Sequence, residues 1–590
     1  MVMGVVAVCL GGGSLLAQVP LKLPTDHAGI VVQQDLQMKE EIAYRKMPAA
    51  KDAGEELDRL PKVIAEHSLF FESRGGIYNG ADEFERYIEK AHPEPKVMAG
   101  KLEAVQAALK AAVPSFYVGT FDTELARIYL KEDFDLAVAQ ALAEAGIGLY
   151  AQADCLEGDR YEAESQHVYD EKRAKHPVPF TYHAEEGEEH CAKKVAADYA
   201  TLGKIEAKRG DVAGATAEFG KALAAHPNAT AALGLAAIDA AKGDEAGELA
   251  MDNVAMLTGA VSADEVKAAR GLYAKLNPGT SAGSYDEVLD KLYAPTFVNP
   301  VVGKEIEMAG GTPQHVVLEE LFTGADCEPC VAPDLASEAL LEHTPRSEVV
   351  VAVYHDNAPG PDPLTTTVSG KRGEYYGTGG STPHVFLDGK ELEIEEGPPS
   401  HAQSSFDILT KAIAPLLAVP SVATLEMTAE RKGKVVEVAV KGAGKGLLGK
   451  THLQILLLET EISDSGKNTL RFQPMVVRAA AKIGADELGM AVDGGKDFSK
   501  SYAFDLEKVE ADNLAYYDEY REGFEKRMAP FISKGYMTLV SVDERAKFRE
   551  AKNQVHPERL VVVAFLQRDD TKSVLQTSYA VVSAAEDGGK

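Results

Sequence analysis

The chain has 590 residues, of which 45% are hydrophobic and 26% charged, and a formal net charge of −31 at pH 7. That length asks for roughly three to five domains rather than one core, and the composition is that of an ordinary soluble globular protein. The acidic balance argues against nucleic acid as a partner, because phosphate contacts need basic patches; it reads as a solubility feature.

Residues 1–18 form a signal-peptide-like segment. Met1 to Ala17 is apolar and Gly-rich and ends Leu15-Leu16-Ala17-Gln18, in the manner of a secretory apolar core with a small residue near its end. The positive start of such a leader is missing. The segment predicts export, to the periplasm or an outer-membrane-associated location. No other run reaches the ~18 apolar residues of a membrane span, so no transmembrane span is expected in the mature chain. With Cys9 cleaved away, Cys155, Cys191, Cys327 and Cys330 remain. An even number in an exported protein permits two disulfides. Cys155 and Cys191 are either a structural bridge or two half-buried thiols, since spacing does not give the Cα separation a bridge requires.

Residues 19–297 read as an Ala-rich helical region. Tyr199, Leu202-Gly203, Gly210-Asp211, Ala215, Phe219, Ala222 and Pro227 stand at the spacings of a helix-turn-helix unit in which small residues let two helices approach. This stretch resembles a tetratricopeptide repeat, best over 196–260. A weaker copy follows at Leu233-Gly234, Gly243-Asp244, Ala246 and Ala250, and a fainter one precedes it at Gly158-Asp159-Arg160-Tyr161-Glu162-Ala163. An Ala-rich bundle that is not a repeat array is the plainer alternative. Between the copies, His176 to His183 and then Glu185, Glu186, Glu188, Glu189, His190 and Cys191 are competent metal ligands. Their spacing fits no closed metal motif, and a solvated acidic loop is the expectation. No metal and no cofactor is predicted.

Residues 298–419 carry the chemistry. An apolar run, Val316 to Phe322, ends at Thr323-Gly324; Cys327-Glu328-Pro329-Cys330 follows, and a helical pattern runs from Val331 to about His343. A Cys-x-x-Cys can be half of a zinc site, but no second cysteine pair exists to complete one. A cysteine reacts as thiolate, and a helix N-terminus favours the anion. Asp326 stands at the N-cap position. That puts Cys327 in the first turn, partly exposed, as the attacking sulfur, with Cys330 more buried as the resolving one. Glu328 works against the thiolate. On the strand before the motif, Glu319 and Glu320 alternate, so one of them is expected to face the core; Glu320 is taken as the candidate buried base. His355, ending the next strand, is expected to be structural. The Gly- and Pro-rich segment 357–380 is longer than usual and is a candidate cover for the site.

Strand, Cys-x-x-Cys at a helix start, and Ser381-Thr382-Pro383 running into Val385-Phe386-Leu387-Asp388-Gly389 resemble the redox core of a thioredoxin fold. The resemblance implies a cis Thr382–Pro383 bond against the cysteines, with the backbone of Thr382 pairing with a substrate chain.

After Pro420 the period becomes two. Ala423, Leu425, Met427 and Ala429, then Val436, Val438 and Val440, then Leu453, Ile455 and Leu457, alternate with polar or small residues. Residues 420–590 are expected to form an antiparallel, β-sandwich-like domain. A helical insert is expected from about Ala511 to Lys534, and a closing hairpin from Leu560 to Gln567 and Ser573 to Val582. Together with Phe322-Thr323-Gly324, His355-Asp356, Asp362-Pro363-Leu364, Arg372 and Tyr375 or Tyr376, this C-terminal half is similar to a bacterial envelope family of thioredoxin-like, outer-membrane-related proteins. The fold class is multidomain: helical repeats, an α/β redox domain and a β-domain. Two functions are carried forward. One is an exported thiol–disulfide oxidoreductase acting on protein clients or a redox partner. The other is an envelope scaffold whose Cys-x-x-Cys is a fixed disulfide and whose repeats bind proteins.

Overall fold

The computed structural model describes residues 22–48, 50–173, 182–281, 283–306, 315–443, 450–481, 489–492, 496–533 and 539–584. The leader-like segment 1–18, with Cys9, and residues 176–181 of the acidic stretch lie outside the described residues. The chain divides into two compact units, residues 1–248 and 249–590.

The first unit is helical. Its helices are α1 (His27–Arg45), α2 (Ala53–Glu66), α3 (Ser68–Phe71), α4 (Arg74–Ala91), α5 (Pro95–Ala112), α6 (Ser115–Lys131), α7 (Leu136–Gly148), α8 (Gln152–Arg173), α9 (Ala184–Arg209), α10 (Val212–Ala225) and α11 (Ala229–Lys242). The boundary falls within α12 (Glu245–Leu257). Apolar residues at helical spacing make the core. Leu57, Leu60 and Ile64 of α2, and Ile77, Ala81, Phe84 and Ile88 of α4, are buried, each set forming one stripe.

The repeated Gly-Asp pair of the sequence is a stop followed by a start. α9 ends at Gly210 and α11 at Gly243, both left-handed with φ of 86° and 76°, where glycine costs least. Asp211 and Asp244 then accept the N–H groups of Gly214 and Gly247, at 2.9 and 3.0 Å, and cap the next helix. Gly158-Asp159, expected as the faintest copy of this turn, instead lies inside α8. Its aspartate caps nothing: it is drawn across to α9, where His190 Nδ1 lies 2.9 Å from Asp159 Oδ1. Cys155 and Cys191 are bridged, with Cα atoms 6.0 Å apart, and staple α8 to α9.

The second unit continues with α13 (Ala263–Leu276) and α14 (Ser284–Tyr293). Then come β1 (Val317–Thr323), α15 (Val331–His343), β2 (Val349–His355), α16 (Thr367–Tyr376), β3 (His384–Leu387), β4 (Lys390–Leu392) and α17 (Ala402–Leu417). The later elements are β5 (Thr424–Lys432), β6 (Val435–Ala443), β7 (Thr451–Ser463), β8 (Phe472–Ala480), β9 (Met490–Val492), β10 (Asp497–Asp505), α18 (Leu506–Ser533), α19 (Leu539–Arg545), β11 (Leu560–Arg568), β12 (Val574–Val581) and β13 (Ser583–Ala584). The expected hairpin is β11–β12, and the expected helical insert is α18.

A nine-stranded sheet has the order β12-β11-β7-β8-β2-β1-β3-β4, with β9 on β7; a four-stranded sheet runs β10-β6-β5-β13. β1 and β2 are parallel, and β3 is antiparallel to β1. One sheet therefore crosses residue 420, where the sequence reading separates an α/β domain from a β-domain. The reason is the character of β2. All seven of its residues are buried, so an open edge there would leave an apolar strand unpaired, and β8 covers it. β7 and β11 serve two cores at once. Leu453, Ile455, Leu457, Val562 and Ala564 pack with Val436, Val438 and Val440 of the small sheet. Leu456, Leu458, Val561 and Val563 pack with β1, β2 and α17. The small sheet packs on β7 and β11.

The staple of the first unit has a measurable worth. Replacing Cys155 and Cys191 by alanine should destabilise the helical unit by about 2–4 kcal/mol, by lengthening the free loop of the unfolded chain. Urea unfolding followed by circular dichroism reads this; an unchanged midpoint would show that α8 and α9 need no covalent link.

Candidate functional site

β1 ends at Thr323 and a tight turn leads to the cysteines. Cys327 N donates to Gly324 O at 3.0 Å. Glu328–Cys330 form a single 3-10 turn, and α15 starts at Val331. Cys327 and Cys330 are joined as a disulfide. Asp326, expected at the N-cap, does not cap the helix. Its carboxylate accepts from Lys467 N at 3.1 Å and pairs with Arg549 at 3.2 Å. Cys327 is the N-cap residue just before the 3-10 turn, not a residue of the first helical turn, and its side chain makes no capping hydrogen bond.

The expected exposure of Cys327 is also corrected. Glu328 and Pro329 face solvent, but Cys327 is 3% exposed and Cys330 0%. Three segments converge on this turn. The β7–β8 connection lies on Ala325: Asn468 N donates to Ala325 O at 3.0 Å, and a Cβ on Gly466 would fall 1.8 Å from that same oxygen. Gly397 N donates to Pro329 O at 2.8 Å, and Ala332 N to Gly397 O at 2.9 Å. The start of segment 357–380 sits against Gly324, with Ala358 O 2.8 Å from where a Cβ would be. The cover is thus shared, and the β7–β8 connection gave no sign of its part in the sequence.

Pro383 reaches the same end of the sheet. Phe322 faces His384 in the β1–β3 ladder, so the antiparallel register places Pro383 beside Thr323. The Thr382–Pro383 bond is cis; Pro383 is buried and Thr382 half-buried. On the other flank Thr323 faces His355 across the parallel β1–β2 ladder. Thr323, one step before the cysteine turn, therefore has His355 on one side and Pro383 on the other.

The two glutamates of β1 are both buried, because helices and strands cover both faces of the strand. Their environments differ completely. Glu320 is held by the Arg372 guanidinium at 2.7 and 2.8 Å, by Tyr354 OH at 2.8 Å and by Tyr376 OH at 2.6 Å. Arg372 donates its remaining end to Gln567 Oε1 of β11 at 2.8 Å. Every lone pair of Glu320 is committed, so it is an anchor between β1, α16 and the C-terminal hairpin and no free base.

On the opposite face, Glu319 and Asp334 have no ion-pair partner among the described residues. Glu319 Oε1 accepts from Ser337 Oγ at 2.6 Å, and its Oε2 has no hydrogen-bond partner; burial pushes this carboxyl up to about 7. Asp334 accepts from Thr323 Oγ1 at 3.0 Å, and burial pushes it up to about 7 as well. Asp334 stands four residues after Cys330, on the same side of the helix. Nearby, His355 Nδ1 lies 2.9 Å from Asp362 Oδ2, and His355 Nε2 is buried without a partner. Burial opposes the charged imidazole, but the Asp362 charge and hydrogen bond outweigh it and raise the His355 pKa. Burial likewise opposes the Asp362 anion, and His355 with the N–H groups of Ala325 and Leu364 holds its pKa low. Asp362 Oδ2 accepts from Ala325 N at 2.6 Å, which ties this pair to the turn two residues before Cys327.

Of the residues singled out from sequence, Cys327, Cys330, Thr382 and Pro383 come together at one end of the sheet, and Glu320 lies on the far face. Asp334 was missed, although its four-residue spacing from Cys330 was readable. Asp362 was noted only as part of a resemblance.

No protein-family model and no curated protein matches this chain. Among solved structures, HBP35 of Porphyromonas gingivalis is similar over 48% of this chain and 80% of its own, at 11% identity and a TM-score of 0.32. A domain of the outer membrane lipoprotein Omp28 from Porphyromonas gingivalis is similar over 28% of this chain and 92% of its own, at 18% identity and a TM-score of 0.16. At such scores neither likeness carries an argument about this chain.

Two outcomes are expected from these acids. Asp334 and Glu319 keep their protons in the folded chain after the unfolded chain, where these groups have their ordinary pKa values of 3.8 and 4.5, has lost them. Their contribution is fully present below about pH 4 and is lost as pH rises through about 7. The stability of Asp334→Asn or Glu319→Gln relative to the parent should therefore improve steadily from pH 5 to pH 8 in urea titrations; a difference constant with pH would contradict the assignment. On the other face, Arg372→Ala strands the Glu320 carboxylate and should cost about 3–5 kcal/mol. The same titrations at pH 7 measure it, and a loss under 1 kcal/mol would show that Glu320 finds another partner.

Proposed function

We propose that the chain is an exported thiol–disulfide oxidoreductase acting on protein thiols. The observation that carries this reading is the meeting at one sheet end of the Cys327–Cys330 pair, Thr382–Pro383 and the buried Asp334 one helical turn behind Cys330. The narrower resemblance to thioredoxin-like envelope proteins belongs with this reading. The leader-like residues 1–18 and the two disulfides support an oxidising, exported setting.

In the reduced chain, the Cys327 thiolate attacks a disulfide of the client, forms a mixed disulfide and releases one client thiolate, which takes a proton from solvent. Cys330 gives its proton to the Asp334 carboxylate and attacks the Cys327 sulfur. The intramolecular disulfide closes and the second client thiolate leaves. Two electrons pass from the protein dithiol to the client disulfide, and a dithiol redox partner reverses the sequence. The helix start favours the Cys327 thiolate, while the exposed Glu328 carboxylate disfavours it. Thr382 and Pro383 offer the extended backbone on which a client strand aligns.

One observation favours the second reading, a scaffold with a permanent bridge: both cysteines are buried in the disulfide form. Equilibrating the whole chain in graded glutathione buffers, then mass-tagging free thiols, separates the two. The oxidoreductase reading expects Cys327 and Cys330 to open and close reversibly between about −300 and −120 mV, with Cys155–Cys191 closed throughout. A pair that stays shut across that range leaves the scaffold.

A further inference from the structure

The first unit carries an open groove of about 1120 Å³. Ordinary small-molecule pockets hold roughly 300–1,000 Å³, so this one suits a length of polypeptide. Its floor is apolar and smooth: Ala200 of α9, Phe219 of α10, and Gly234, Ala237 and Ile238 of α11. Its charged lining is Arg127, Lys131, Lys204, Lys208 and Lys242, with no carboxylate. In a chain with 92 acidic and 61 basic residues, a surface of five bases and no acid is not what chance placement gives.

The charges are also placed at one end. Lys208 pairs with Asp133, just beyond α6, at 2.7 Å, so α6 and α9 terminate together. α10 returns along α9, and α11 returns along α10, so α11 terminates there too. Lys131, Lys208 and Lys242 lie in last turns, where the helix dipole alone favours cations. Arg127 and Lys204 lie a turn further in, beyond that reason. Arg127, Lys131, Lys208 and Lys242 each have a carboxylate behind them, outside the lining. The three lysine pairs are exposed and therefore weak, which leaves those cations open to a second anion, while Arg127 stays on the buried Asp198. Lys204 has no ion-pair partner among the described residues and is exposed.

We propose that this groove docks an acidic, amphipathic segment of a partner protein. Apolar side chains of the segment lie on the alanine floor, and its carboxylates meet Lys204, Lys208 and their neighbours where α6, α9 and α11 end. The inference does not rest on the redox reading, and the cysteines play no part in it.

The test uses the whole chain and two fluorescein-labelled peptides. One has leucines at helical spacing and glutamates elsewhere; its twin has lysine for every glutamate. Fluorescence anisotropy should show saturable binding of the glutamate peptide, at least tenfold weaker binding of the twin, and a steep loss between 50 and 500 mM salt. Lys204→Glu with Lys208→Glu should weaken the glutamate peptide at least tenfold. Lys96→Glu with Lys110→Glu makes the same change in net charge on exposed positions away from the groove and should leave binding within twofold. Circular dichroism melts confirm that both variants fold. Failure of the glutamate peptide to bind, equal binding of the twin, or equal loss in the two double variants would overturn the proposal.

Discussion

β1 has no exposed residue and yet carries two carboxylates, and much of the second unit follows from that constraint. A buried carboxylate is tolerated only if it is paired or protonated. Glu320 takes the first course, with Arg372 and two tyrosines; Glu319 takes the second. The pairing on one face fixes α16 and β11 against β1. The unpaired acids on the other face leave groups able to bind and release a proton near neutral pH, beside the helix that presents Cys330.

This division gives the two faces of one strand different duties. Below β1, the Arg372 fork fixes geometry, and Arg372 and Gln567 link two segments separated by 195 residues. Above it stand two separate polar pairs, Asp334 with Thr323 and His355 with Asp362, and Asp362 also holds Ala325 N at the start of the cysteine turn. A fully paired carboxylate and carboxyls with raised pKa values thus stand on opposite sides of the same sheet. The cysteines sit at its end, where Pro383 and His355 flank Thr323.

Features set by local rules were readable in the sequence. Cys-x-x-Cys followed by an apolar helical pattern gave the turn and α15. The Gly210-Asp211 and Gly243-Asp244 turns followed from a left-handed stop and an N-cap. The period-two runs gave β5, β6, β7 and the β11–β12 hairpin. What escaped reading depends on contacts between distant segments. Nothing near Cys327 says that Gly466, more than a hundred residues later, will rest on Ala325. Nothing near Glu320 announces Arg372. The alternation rule failed at Glu319 and Glu320 because it presumes one solvated face, and β1 has none. Asp326 looked like a cap because its position suited one, and Arg549 and Lys467 claimed it instead.

The join between β2 and β8 has a practical meaning. Their ladder is a single residue pair, Val353 with Val476, so the two halves of the large sheet are held there mainly by apolar side chains packed on either side. A fragment ending near residue 419, chosen because the redox motif lies within it, would lose β8, β7 and β11 together. It would present the bare hydrophobic flank of β2 to water, and with it a template for self-association. Insolubility of such an excised piece would therefore report a severed sheet rather than any defect in the cysteine motif.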